Sequence, residues 1–340
     1  MDRLRHVTID FRSDNTHGAS PEILDALIRV AAGTITSYGG DVVTDRVRER
    51  CREIFETDLE IFPVLTGTAA NALAVASMTP PWGAVFCHED AHIHRDELGA
   101  PEFFTNGAKL FPIAGEHGKL RPTDVARWIH RVGEEGRMAV PSCVSVTQAT
   151  EAGTVYRAEE VAAIAETARL GVHMDGARFA NALVSAGCTP AELTWKAGVD
   201  VLTLGATKNG AMAAELIVVF RKELAAEIAP RWHRAGQRVS KMRFVSAQFE
   251  AYLTDDLWLR NARHANAAAS RLAREMNAEI LRPVEANVLF VRFAPEVAAK
   301  LQKEGFLFFD WPLFGPNAYR IVCAFDTSDA DVDALIRATR

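Results

Sequence analysis

Apolar positions recur along this chain with two periods that take turns. In PEILDALIRVA, residues Ile23, Leu24, Leu27, Ile28 and Ala31 fall on one face at three- and four-residue spacing. Ser20 stands where an N-cap belongs, Pro21 at the first helical position and Gly33 just past the end. The spacing predicts a helix there and a second over roughly Val43 to Glu56, where Val43, Val47, Cys51, Ile54 and Phe55 line up under a cover of arginines and glutamates. From there short apolar runs follow one another: IFPVL, AVFCH, LFPI, MAVPSCVSV, GVHMD, DVLTL and ELIVVF, several separated by amphipathic segments such as PTDVARWIHRV and AEEVAAIAETARLG. Runs of this length, covered on both faces and linked by helices, predict a three-layer αβα domain around a mostly parallel sheet, spanning residues 1–245 with the N-terminal segment. Residues 246–340 read as a connecting helical stretch, roughly Ser246 to Met276, and a small C-terminal α/β domain built from NVLFVRF, PEVAAKLQKEG, FLFFDW, AYRIVCAF and DADVDALIRATR.

Composition narrows the function classes. The 340 residues, 49% hydrophobic, suffice for one large core and a smaller one. A formal net charge of -6 with no Lys/Arg block leaves neither a nucleic-acid footprint nor a polybasic membrane patch, and so favours small-molecule chemistry. The five cysteines, Cys51, Cys87, Cys143, Cys188 and Cys323, are scattered without a CxxC pair, which points to reduced core residues rather than a disulfide framework or a zinc site. The opening MDRLRHVTIDFRSD is charged and lacks an apolar signal region, and no apolar stretch approaches about 18 residues. The expectation is a soluble, untargeted, cytoplasmic protein with no membrane partner.

In an α/β sheet, ligands gather beyond the carboxyl ends of the strands, so the residues just after each run are the candidates for chemistry. IFPVL leads into TGTAANALAVAS, where Gly67 and Thr68 open an apolar helix whose free amides suit a phosphate, although Thr66 and Thr68 also read as plain capping residues. The stretch is neither a Walker loop nor a GxGxxG motif. GVHMD ends on Asp175 with Arg178 three residues on, either a local ion pair or a carboxylate for a ring nitrogen beside a guanidinium for a carboxylate. VLTLGATKNG places the single Lys208 among small residues after a strand, either on a solvated loop or as a Schiff-base amine. AVFCHEDAHIHRDE adds His88, His92 and His94; without a companion carboxylate–histidine set they make a poor metal site, and no metal is assigned. A lysine, a ring-nitrogen acid and a phosphate cradle in this order are the parts a pyridoxal phosphate enzyme needs.

FRSDN, SYGGD, TGTAAN, EDAH, HMDGARFANAL, the Lys208 segment and YRIV together, in order from about Asp10 to Arg320, resemble the threonine aldolase family of pyridoxal phosphate enzymes. The resemblance implies the aspartate aminotransferase-like fold of type I pyridoxal phosphate enzymes. It also implies roles: Lys208 as the Schiff-base lysine, Asp175 as partner of the pyridine nitrogen, His92 stacked on the cofactor, and Gly67 with Thr68 as the phosphate cradle. Lys241 or Arg243 would reach the phosphate. Ser13, Arg178 and Arg320 would grip the substrate carboxylate, Arg178 also lying beside the cofactor. Tyr38 and Gly39 would approach the site, often across a subunit boundary.

The activity so implied is cleavage of L-β-hydroxy-α-amino acids such as L-threonine, L-allo-threonine or phenylserine to glycine and an aldehyde, in a homotetramer with shared sites. A β-eliminating lyase, an aminotransferase and an inactive cofactor-binding regulator are the alternatives. One departure stands out: where many relatives carry a histidine, SCVSVTQATEAG offers Gln148, Thr150 and Glu151, so the hydroxyl proton must go to another group, such as water or His92. Trp195, Trp232 and Trp258 could serve interfaces or cores equally.

Overall fold

A computed structural model describes residues 9–340; the charged opening stretch, residues 1–8, lies outside them. Five of the apolar runs pair side by side as parallel strands: β3 (Gly83–His88), β4 (Lys109–Ile113), β5 (Val140–Thr147), β6 (Gly171–Gly176) and β7 (Val201–Gly205). β8 (Glu215–Val219) runs antiparallel between β7 and β2 (Glu60–Val64), giving the order β2-β8-β7-β6-β5-β3-β4. β3, β6, β7 and β8 are buried along their whole length, which is why they read as unbroken apolar runs. This is the expected α/β architecture with a mostly parallel sheet.

The last part of the chain builds a second, antiparallel sheet. Its order is β12-β13-β10-β9, from β12 (Phe309–Asp310), β13 (Ala318–Val322), β10 (Val288–Arg292) and β9 (Glu279–Ile280). The N-terminal strand β1 (Ile9–Asp10) pairs parallel with β11 (Phe306–Leu307), so residues 9–11 return to this end of the molecule. Helix Leu257–Glu275 joins the two cores: Leu257, Trp258 and Ala262 belong to the large one, Ala268, Ala269 and Leu272 to the small one.

Local readings needed correction in two places, and the structure decides a third. The first helix, Pro21–Ala31, buries Ile23 and Ala26 and half-buries Leu27, while Leu24, Ile28 and Ala31 face outward, Ile28 with 72% of its surface exposed; within one chain the packing ridge is the 23/26 row. The stretch from Ser246 to Met276 is two helices, Arg243–Tyr252 and Leu257–Glu275, because Asp255 and Asp256 take left-handed backbone between them. Trp232 and Trp258 are core residues, and Trp195 is half-buried with its indole N–H donating to Phe55 O. No helix among the described residues is long and apolar enough to cross a membrane.

Candidate active site

Asp175 closes β6 at the carboxyl edge of the large sheet and is 1% exposed. One of its oxygens accepts from the Ala177 amide (3.1 Å), the other from Asn71 Nδ2 (3.0 Å). Asn71 sits one turn into helix Gly67–Met78, on the same face as Gly67, and its amide also donates to Glu97 Oε1 at 2.8 Å. Glu97 in turn holds His92 Nδ1 at 2.8 Å, completing the chain Asp175–Asn71–Glu97–His92. Burial holds the Glu97 carboxyl above the ordinary range, and its hydrogen bond raises His92. Below Asp175, a buried row of Ser145, His173 and Thr203 crosses three strands; burial pushes His173 down to about 4, so it stays neutral.

Lys208 follows β7 in a tight turn that its neighbours clamp. Asn209 is buried and donates to Tyr252 Oη and Trp258 O, both at 2.8 Å. Gly210 has φ 108°, and a Cβ there would meet Ser20 Oγ at 2.3 Å, so only glycine passes. Lys208 itself makes no hydrogen bond or ion pair with any described residue, while its charge acts on Asp14, His92 and Glu215. Across the sheet edge, Thr66 caps helix Gly67–Met78 through the Ala69 amide, which leaves the amides of Gly67 and Thr68 without partners among the described residues.

Two arginines behave differently. Arg178, 7% exposed, donates through Nε and Nη2 to the two oxygens of Asp14 at 2.7 and 2.9 Å, so this predicted substrate residue is engaged with a carboxylate of its own chain and keeps only Nη1 free. Burial alone would raise Asp14, but the Arg178 charge and hydrogen bond, with the Lys208 charge and the Asn287 bond, together outweigh it and hold the carboxyl at about 2. Asn287 Nδ2 adds a third bond to Asp14 at 3.1 Å. Arg320, in the middle of β13, stands 5.3 Å over the Trp311 ring and has no ion pair or hydrogen bond with a described residue. Burial and the nearby Arg178 charge lower its pKa. Ser13 lies next to Asp14 and caps the turn Asp14–Thr16.

Tyr38, Gly39, Lys241 and Arg243, the remaining expected residues, make no hydrogen bond or ion pair with this group. Tyr38 and Gly39 form a left-handed turn anchored on residues 238–242, with Tyr38 N donating to Ser240 O and Gly39 facing Trp232 and Met242. They make no hydrogen bond to Lys208, Asp175 or Arg320. Lys241 is exposed, whereas Arg243 is half-buried with its Nε unpartnered. In the departing loop, Gln148 is spent on structure: its amide clamps Tyr156 N and O at 3.0 and 2.8 Å, and Thr150 bonds Thr154 and His117 O. Glu151 remains, its charge felt by His92, Arg178 and Arg320, in a cavity of about 60 Å³ with Asp96 and Trp311. A wider cleft of about 860 Å³ opens beside it, sharing Asp90, Arg95, Leu313 and Phe314; neither Lys208 nor Asp175 lines either of the two.

The beta-eliminating lyase family model matches residues 10–296. The chain is 43% identical over 332 residues to the low specificity L-threonine aldolase of Pseudomonas sp. (strain NCIMB 10558), covering 96% of this chain and 95% of that protein. The chain belongs to this family, among its threonine aldolases. The Pseudomonas aeruginosa low specificity L-threonine aldolase is also 43% identical, over 341 residues, with 98% of this chain and 97% of that one covered. The Leishmania major threonine aldolase structure superposes with a TM-score of 0.91 at 26% identity, covering 97% of this chain and 98% of that chain. As a member of the family, this threonine aldolase relative is a lyase that works with pyridoxal phosphate.

The residues present fit that cofactor. A Cβ built at Gly67 meets nothing within 4 Å, so there is room above the free amides for a phosphate. Asn71 Oδ1, Glu97 Oε2, Glu215 Oε2, Arg243 Nε and Trp311 Nε1 are buried polar atoms that find no partner among the described residues. Sequence reasoning missed Asp14, Asn71, Glu97, Glu215 and Asn287. Only Asn71 carried a signal, its four-residue spacing from Gly67.

Proposed function

We propose that the protein cleaves L-β-hydroxy-α-amino acids of the L-threonine, L-allo-threonine and phenylserine type to glycine and an aldehyde. The observation that carries this reading is Arg320: a half-buried guanidinium close to Arg178, with no ion pair among the described residues. Such a charge is held in waiting for a ligand carboxylate. Arg320, with Arg178 Nη1 and Ser13, grips that carboxylate and so fixes which bond at Cα stands perpendicular to the cofactor ring. Pyridoxal phosphate, when bound, supplies the electron sink for the Cα electron pair. Lys208 anchors it covalently, Asp175 keeps a proton on its ring nitrogen, Gly67 and Thr68 hold its phosphate, with Arg243 or Lys241 nearby, and His92 covers its ring. The hydroxyl proton passes to His92 Nε2, directly or through water, because Glu97 holds the other ring nitrogen.

The assembly we infer is a homotetramer in which Tyr38 and Gly39 serve a neighbouring site. The uncovered Leu24, Ile28 and Val42 support it. The five free cysteines suit a reducing, cytoplasmic setting. The domain division we adopt keeps residues 1–245 with the large sheet and 246–340 with the small one.

The test is glycine and aldehyde release from L-threonine, L-allo-threonine and L-phenylserine, with a D-isomer control, by the protein supplied with pyridoxal phosphate. Glycine from the L-substrates and its loss in Lys208→Ala are expected. Ammonia and a keto acid from substrates with a β-leaving group, with no glycine from any hydroxy amino acid, would replace the aldolase reading by an eliminating one.

A further inference from the structure

Glu215 is a buried acid that the reaction above does not use. It opens β8, opposite Val64, the last residue of β2, on one side and Gly205, the last of β7, on the other. From Val64 the chain runs on to Gly67 and Thr68, and from Gly205 to Thr207 and Lys208. Glu215 therefore lies at the root of both arms that receive the cofactor. It is 6% exposed, and its Oε2 is buried with no partner among the described residues. Burial pushes its carboxyl up to about 7, against the pull of Thr207 and Lys208 and with help from the Asp175 charge. The Tyr252 phenol, behind it, bonds Gly205 O and accepts from Asn209.

An ionised carboxylate is a poor neighbour for a phosphate dianion, whereas a neutral carboxyl is a hydrogen-bond donor. We propose that Glu215 is a positioning residue for the cofactor's phosphate: it takes a proton from solvent when the phosphate arrives, and the O–H on its unpartnered oxygen donates at the phosphate end of the site. The proposal rests on the reading that Gly67 and Thr68 hold that phosphate. Binding is then proton-linked. Above the apo carboxyl's titration the protein must take up a proton to bind, so affinity falls as pH rises.

Calorimetric titration of the apoprotein with pyridoxal phosphate, in buffers of different ionisation heat, counts the protons. At about pH 8 the parent should take up about one proton more per site than Glu215→Gln, and above that pH its affinity relative to the variant should fall about tenfold per unit. Phosphate-free pyridoxal should erase the difference. Equal proton counts for the two proteins, or a difference that persists with pyridoxal, would overturn the proposal. Glu215→Met, also neutral, takes the place of the glutamine variant should that one fail to fold. Gly67→Asp, which puts a carboxylate into the open space over the free amides, separates the premise: if it leaves the preference for pyridoxal phosphate over pyridoxal unchanged, the cradle is elsewhere, whatever the Glu215 proton count.

Discussion

Arg178, buried, and Arg320, half-buried, are close enough for one charge to act on the other, yet the large sheet and the small sheet treat them in opposite ways. Arg178, just beyond β6, is locked in a two-pronged pair with Asp14, which Asn287 also holds. Arg320, on β13, rests against an indole and has no anion. Arg178 is satisfied before any ligand arrives, and Arg320 is not. A paired buried charge positions; an unpaired one binds. Residue type and strand-end position alone do not tell these cases apart.

Removing Arg178 should have the largest effect on stability. Arg178→Ala leaves Asp14 ionised and buried with only Asn287, and should destabilise the fold by about 3–5 kcal/mol, read by urea unfolding. Arg320→Ala removes no internal pair. It should change stability by less than about 1 kcal/mol while lowering kcat/KM on L-threonine by about 10²-fold, mostly through lost carboxylate binding. If the two variants lost stability and activity in the same proportion, the contrast between the sheets would be void.

Acid sharpens the same contrast. The Asp14 carboxyl sits at about 2 in the folded chain against its ordinary 3.8, so its contribution is present above the ordinary value and is lost as pH falls through the folded one. Unfolding free energy should therefore drop by about 2 kcal/mol over that window, and Asp14→Asn should flatten that part of the pH profile. An unchanged profile in the variant would show that Asp14 is not the titrating group. The smallest effect is expected at Glu97. Glu97→Ala removes the bond that raises His92, so the acid limb of the pH–rate profile should move to lower pH, and a limb that stays in place would remove His92 from the proton's path.

The sequence by itself determined the parts that obey a local rule. Unbroken apolar runs between amphipathic helices determined the mostly parallel sheet, because a strand covered on both faces has no polar side to show. Placement after those runs brought out Gly67, Asp175 and Lys208, because the carboxyl edge of such a sheet is where ligands collect. Arg178 and Arg320 were visible as residue types, and their different states were not.

Only the tertiary structure decided those states. Asp14, Glu97 and Glu215 meet their partners through pairings between distant segments, and no periodicity in their own neighbourhoods foretold it. The same holds for the uncovered half of the first helix and for the burial of Trp232 and Trp258. Periodicity reports which way a side chain faces along its own element. Whether that face meets a core, a counter-charge or open space depends on long-range packing, and with it whether a buried charge is structural or free to bind.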